Sequence, residues 1–202
     1  MKLAVVAANG KSGRLIVKEA VARGLDVTAV VRGENKTEAL HTLKKDIMDL
    51  TKEDLAGFDV VIDAFGIWDP NKMDQHSATL GHLSDILSGS KTRLLVVGGA
   101  GSLYVDKDHK TMISDLPDFS EAYLPTAVGM KNSLNVRWTY VSPAAEFIAD
   151  GERTGKYILA GEEFTTNEKG ESKISYADYT LAMVDEAVSG SHIHQRISVL
   201  GK

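Results

Sequence analysis

Leu3-Ala4-Val5-Val6-Ala7-Ala8-Asn9-Gly10-Lys11-Ser12-Gly13-Arg14 decides how this chain is read. A short apolar run stops at a small, glycine-bearing turn. A helical pattern starts at once, with Leu15, Ile16, Val17, Ala20 and Val21 as its apolar positions. That order is a buried strand, a tight loop and a helix start. Such a loop aims unpaired backbone N–H groups and the positive end of a helix dipole at one spot, where a phosphate fits. The spacing approaches the three-glycine dinucleotide fingerprint. Gly10 and Gly13 hold two of its positions, and Ala7 stands at the first. The stretch Asn9, Gly10, Lys11, Ser12 and Gly13 is therefore the expected diphosphate cradle. An ordinary strand-to-helix turn is the plain alternative.

Working outward, Gly24 is placed to end the first helix, and Asp26–Val31 reads as a second strand closing at Arg32. The residue at that place meets the adenosine ribose. An acid there would bind the 2′-hydroxyl of NAD; a guanidinium grips a 2′-phosphate instead. Arg32 thus predicts a preference for NADPH, with Lys36, Lys11 or Arg14 assisting. Glu34 is a competitor for the ribose and keeps NADH open. A short strand is expected near Thr42–Lys44. Asp46-Ile47-Met48-Asp49 follows, and two readings stand for it. Asp46 accepts from the adenine amino group while Ile47 packs on the ring, or Asp46 and Asp49 organise a turn. Thr51 and Asp54 make a capping-box pattern that predicts a helix start.

Phe58–Gly66 reads as a fourth strand and its exit, where the small Ala64 and Gly66, with Phe65 between them, let a ligand approach the backbone. A helix is expected over 74–87. Arg93–Val97 is an apolar strand running into Gly98-Gly99-Ala100-Gly101-Ser102. Uniformly apolar strands separated by helical segments predict a parallel sheet covered on both faces, with ligands beyond its carboxyl ends. The strand exits then converge on one cleft. Tyr104–Leu116 reads as a loop over it, and a helix is expected over 119–133. Val136–Pro143 is the next strand, ending at Ser142 and Pro143. Residues 151–173 look like a small irregular cap. Ser175 and Asp178 cap a last helix running to about Val188, and Gln195–Leu200 closes the sheet. The fold class is α/β: a Rossmann-like doubly wound parallel sheet, helices on both faces and a small C-terminal cap. It is expected as a single domain over 1–202, with the cap mainly in 151–175.

Composition narrows the function. A hydrophobic fraction of 43% and a charged fraction of 25% are those of a globular protein. Net charge −5 argues against nucleic acid or an anionic membrane as partner. With no cysteine, thiolate catalysis, disulfides and Cys-based metal sites are excluded. The opening apolar run is too short for a signal peptide core or a membrane span, so a cytoplasmic location follows by default. His192 and His194 are spaced like a metal pair, but no carboxylate lies nearby in sequence, and no metal is expected.

With these pieces placed, the chain resembles the atypical short-chain dehydrogenase/reductase superfamily. It is most similar to compact bacterial NAD(P)H-binding proteins known as NADH-flavin reductases, related to biliverdin reductase B and NmrA-like proteins. The resemblance rests on blocks in order: the loop Ala7–Gly13, with Ala7 and Asn9 as departures; Val30-Val31-Arg32; Asp46–Asp49; Val97–Leu103; Trp138–Pro143; and Ile174–Tyr179. It implies a nucleotide held by Asn9–Gly13, Arg32, Asp46, Ile47, Ala64, Phe65, Gly66, Gly98, Ser142 and Pro143.

Many short-chain dehydrogenases use a Tyr-x-x-x-Lys pair as acid and base. Here Tyr123 is followed four places on by Ala127, and no other Tyr has the Lys at that spacing. An ordinary carbonyl reductase or epimerase is disfavoured. A flavin relaxes the need, because hydride passes from nicotinamide to flavin N5 and water supplies the proton. The protein need only hold two flat rings face to face. Phe65, Trp68, Tyr104 and Tyr123 are candidate packing surfaces. Ser102 either donates to a substrate oxygen or caps its loop; Ser102 and Tyr123 are the candidate catalytic residues. The reading is an NADP(H)-dependent reductase, NAD(H) remaining open, with FMN, FAD or a similar planar acceptor as substrate and a monomer or weak homodimer as its state. A non-catalytic NAD(P)H sensor of the NmrA-like kind is the alternative.

Overall fold

The computed structural model describes residues 1–117 and 135–202. The helix expected over 119–133, and Tyr123 with it, lies outside the described residues. The sheet is built from β1 (Lys2–Val6), β2 (Asp26–Val31), β3 (His41–Lys44), β4 (Val60–Asp63), β5 (Arg93–Val97), β6 (Arg137–Pro143), β8 (Ile158–Ala160) and β10 (Gln195–Leu200). Their spatial order is β3-β2-β1-β4-β5-β6-β10-β8. All neighbours run parallel except β8, which pairs antiparallel with β10. The order reverses between β1 and β4, the switch point where such sheets take ligands.

Each strand feeds both faces because side chains alternate. Leu3 and Val5 of β1 join Ile62, Leu95, Val141 and Val199 on one face. There they meet Ile16, Val17 and Ala20 of α1 (Lys11–Ala22), and Tyr179, Ala182 and Met183 of α3 (Tyr176–Ser189). Ala4 and Val6 join Val30, Val61, Leu94 and Val96 on the other face, against Leu80, Leu83 and Leu87 of α2 (Asp74–Leu87). Burying one such Leu or Ile stabilises by roughly 1.5–3 kcal/mol. The sandwich of helix, sheet and helix is the Rossmann-like α/β fold expected from the sequence.

Two expectations change. Thr51 and Asp54 make the reciprocal capping bonds, Thr51 N to Asp54 Oδ2 at 2.8 Å and Asp54 N to Thr51 Oγ at 3.3 Å. No helix follows; the chain turns, and Gly57 at φ +90° sends it into β4. A cap satisfies amides but cannot supply a helix where only a few residues separate it from the next strand. The second change concerns 151–173. β8 is no cap element but the edge strand of the main sheet, while β7 (Glu146–Ile148) and β9 (Lys173–Ser175) form a separate parallel pair beside α3.

Candidate functional site

The turn after β1 carries the first constraint. Ala7 sits at φ +56°, the left-handed region that favours glycine. The tight turn is therefore made at the place where the fingerprint wants its first glycine. Gly13 serves another need. A Cβ there would lie 2.7 Å from Ala7 O and 2.8 Å from the Ala8 Cα, so only glycine lets α1 start this close to the strand. The helix opens at Gly10 with no side-chain cap and no acid in its first turn. By contrast, α3 is capped by the Ser175 hydroxyl, which accepts from Asp178 N. The amino end of α1 thus keeps N–H groups and a partial positive charge, an arrangement that suits an anion.

That helix end opens into a cavity of about 500 Å³ at the carboxyl edge of the sheet. Gly10, Lys11 and Ser12 form one side; Ala64, Phe65 and Gly66 after β4, Gly98 after β5, and Pro143 at the end of β6 supply others. Four strand exits do meet, but they are those of β1, β4, β5 and β6. The β2 exit stands apart. Arg32 is 82% exposed, its guanidinium 3.9 Å from Asp46. Asn9 ties the two places together: its amide donates to Glu34 O and accepts from Lys36 N, both at 2.8 Å. Arg14 Nε donates to Asn9 O. The nucleotide turn and the loop carrying Arg32 are one hydrogen-bonded unit. Asp46 Oδ1 accepts from Met48 N, the turn-organising arrangement, and Ile47 packs in the core with Val6 and Val30.

Not every expected residue reaches the cavity wall. Ser102 is fully buried; its hydroxyl donates to Gly99 O at 3.4 Å and hydrogen-bonds the Tyr140 hydroxyl. Ser142 is fully buried as well, and its Oγ has no partner among the described residues. Tyr104 stacks on His109 at 4.5 Å within its own loop and bridges to Met112 and Glu163, and it is not among the residues that line the cavity. His192 and His194 also part company: His192 Nδ1 meets Glu186, and His194 Nε2 meets Val136 O.

Other wall residues come from places far apart in sequence. Trp68, 66% exposed, and His76 join Phe65 on one side, with the Phe65 and His76 rings edge to face at 5.5 Å. Phe147 and Tyr176 stack at 3.9 Å on another. Tyr140 forms part of the floor; a Cβ on Gly98 would fall 2.2 Å from its ring, so that glycine is what admits the tyrosine. Gly99 N donates to the Tyr140 hydroxyl at 3.2 Å, and burial pushes that hydroxyl's pKa up. Asp63 is the largest departure from expectation. It ends β4 as a buried carboxylate on the wall, where burial pushes its pKa up to about 6 against the opposing hydrogen bond from Phe65 N. One acid closing the run Val60-Val61-Ile62 was the available signal.

The donor set fits a dinucleotide: an uncapped helix start for a diphosphate, glycines where backbone must be approached, and aromatic walls for flat rings. The fold and site together define a Rossmann-type nucleotide-binding protein, and comparison with known proteins narrows the class. The NAD(P)H-binding family matches residues 7–187, and the chain belongs to it. A crystal structure of SP1627 from Streptococcus pneumoniae TIGR4, described as "a putative NADH-flavin reductase", superposes with a TM-score of 0.95 at 54% identity, covering all of both chains. A Lactobacillus casei protein superposes at 0.88 with 30% identity, over 100% of this chain and 99% of that one. YwnB of Bacillus subtilis (strain 168), of uncharacterised function, is 42% identical over all of this chain and 99% of its own length. Among the described residues no helix is long and apolar enough to cross a membrane.

Proposed function

We propose that this protein oxidises NADPH and reduces a flavin or similar planar acceptor by hydride transfer. The observation that carries the reading is a cavity of about 500 Å³ that joins the uncapped start of α1 to two aromatic walls. The backbone of Gly10, Lys11 and Ser12 would hold the diphosphate, with Asn9 and Gly13 shaping the turn. Arg32, and behind it Asp46 and Ile47, would form the adenosine end. Ala64, Phe65, Gly66, Gly98 and Pro143 would line the way to the nicotinamide, with Ser142 beneath. The bound nucleotide supplies a hydride. The chain's own residues then align two rings and exclude water, which shortens the search for a reactive pose. The name of the pneumococcal relative agrees with such an acceptor.

Mixing the protein with NADPH and FMN and following nicotinamide absorbance tests this. Turnover above the protein-free rate is expected. Tight NADPH binding with no added rate would instead favour a regulatory nucleotide sensor. Cofactor choice has its own test. Arg32→Ala removes a charge-assisted contact to the 2′-phosphate, so the Kd for NADPH should rise about tenfold or more, and that for NADH far less. Equal losses would show that Arg32 does not read the phosphate.

A further inference from the structure

Asp63 belongs to a row that crosses the sheet. Register places Val6, Asp63, Val96, Tyr140 and Arg196 side by side on one face. Val6 precedes the nucleotide turn, and Tyr140 is on the cavity floor, so the carboxyl stands between the phosphate end and the ring end of the cavity. It is 5% exposed. Its Oδ1 accepts from Phe65 N at 3.0 Å, and among the described residues no donor meets Oδ2. No cation among the described residues pairs with it. A buried carboxylate normally has both oxygens satisfied or a partner charge. One oxygen turned to a cavity without either is the arrangement of a group that carries a proton for part of its cycle.

We propose that Asp63 is a catalytic acid of this cavity, which delivers a proton from Oδ2 to the oxygen of a conjugated aldehyde or ketone and so extends the acceptors beyond flavins. The proposal rests on nucleotide binding and hydride transfer, and not on the acceptor being a flavin. The carbonyl carbon takes a hydride from a reduced nicotinamide nucleotide, which becomes the oxidised form. The C=O π pair moves to oxygen, and that oxygen takes the Asp63 proton. The O–H bonding pair stays on the carboxylate, and solvent returns a proton to it. The product is the alcohol. Asp63 thereby does, from β4, what the missing Tyr-x-x-x-Lys pair does elsewhere. A carbonyl needs this because its hydride adduct is a strongly basic alkoxide; a flavin does not.

The titratable groups that share the cavity with Asp63 are Lys11 at the start of α1, His76 on α2, Tyr140 on β6 and Tyr176 on α3, with Arg196 on β10 beyond Tyr140. The Arg196 guanidinium lies 5.8 Å from the Tyr140 ring centre and 5.9 Å from that of Tyr104, and donates to Ser102 O at 2.7 Å. Burial raises the Tyr140 hydroxyl, which keeps its proton through the neutral range.

The test uses NADPH with trans-cinnamaldehyde and, in parallel, with FMN, for the wild type, Asp63→Asn and Asp63→Glu. The wild type should reduce the aldehyde, with kcat/KM falling tenfold per pH unit on the alkaline side. Asp63→Asn should flatten that limb and lower the aldehyde-to-FMN rate ratio about a hundredfold, the scale of a lost general acid. Asp63→Glu, able to ionise, should restore the limb. NADPH affinity is measured for each by nicotinamide fluorescence. The proposal is overturned if the wild type does not reduce cinnamaldehyde. It is equally overturned if the ratio survives in Asp63→Asn, or if a weaker NADPH affinity accounts for the loss. Aldehyde reduction without FMN reduction would sink the flavin reading and leave Asp63 in place.

Discussion

Asp63 and Glu186 are each 5% exposed, yet the protein treats the two carboxylates in opposite ways. Glu186 lies near the end of α3, at the amino edge of the sheet. Its Oε1 accepts from Arg93 Nη2 at 3.0 Å and from His192 N at 3.1 Å, and its Oε2 meets His192 Nδ1 at 2.6 Å. Arg93, the first residue of β5, also donates to the carbonyls of Glu186 and Ala187. Asp63 at the carboxyl edge receives one backbone N–H. Burial costs both side chains their water, but only Glu186 recovers it from partners. The amino edge is a closed ionic joint between α3 and the sheet. At the carboxyl edge, by contrast, Asp63 faces a cavity with no cation paired to it among the described residues.

Breaking the paired side should have the larger effect. Glu186→Ala strands the Arg93 guanidinium in the interior and should cost about 3–5 kcal/mol, read as a lower urea midpoint. A loss under 1 kcal/mol would show that the joint is not structural. The unpaired side should respond with the opposite sign. The folded Asp63 has a pKa of about 6, above the ordinary 3.8. Between those values the native state holds a proton that the unfolded chain has released. Stability therefore falls as pH rises from about 4 to 6, and the full penalty applies above that. Asp63→Asn, which still accepts from Phe65 N, should gain on the order of 2–3 kcal/mol at pH 7.5 and almost nothing at pH 3.5. Melting curves at the two pH values decide it; equal effects at both would remove the unpaired charge from the account. The smallest change sharpens the same edge. Ala7→Gly should relieve the left-handed alanine and add about 1 kcal/mol, seen as a higher Tm. An unchanged or lower Tm would mean that glycine's freedom in the unfolded chain cancels the relief.

The two edges also differ in how far they could be read beforehand. The unit β1–turn–α1 was legible because a strand, a glycine turn and a helical period adjoin within Leu3–Val21. The helix Asp74–Leu87 and the strand Gln195–Leu200 fall where periodicity put them. The Thr51–Asp54 box misled because its two bonds are local and form with or without a helix. Tyr104 was not placed by the sequence because its ring stacks on His109 within its own loop, while its bridge to Glu163 joins a segment far along the chain. Ser102 lies in the strand-exit block that the sequence marks, but local sequence does not record that its hydroxyl turns inward to Gly99 and Tyr140.

By itself, the sequence determined the layered α/β architecture, the glycine turn that starts α1 and the nucleotide family, because these depend on periodicities and spacings within a few residues. Tertiary structure alone decided the chemistry of the cavity. Asp63, His76, Tyr140, Phe147 and Tyr176 come from five separate elements, and only the parallel register and the packing of α2 and α3 bring them around one cavity. What makes Asp63 distinctive is that, among the described residues, one backbone N–H is the only donor that meets it. That is a property of neighbours in space, which a linear pattern does not contain.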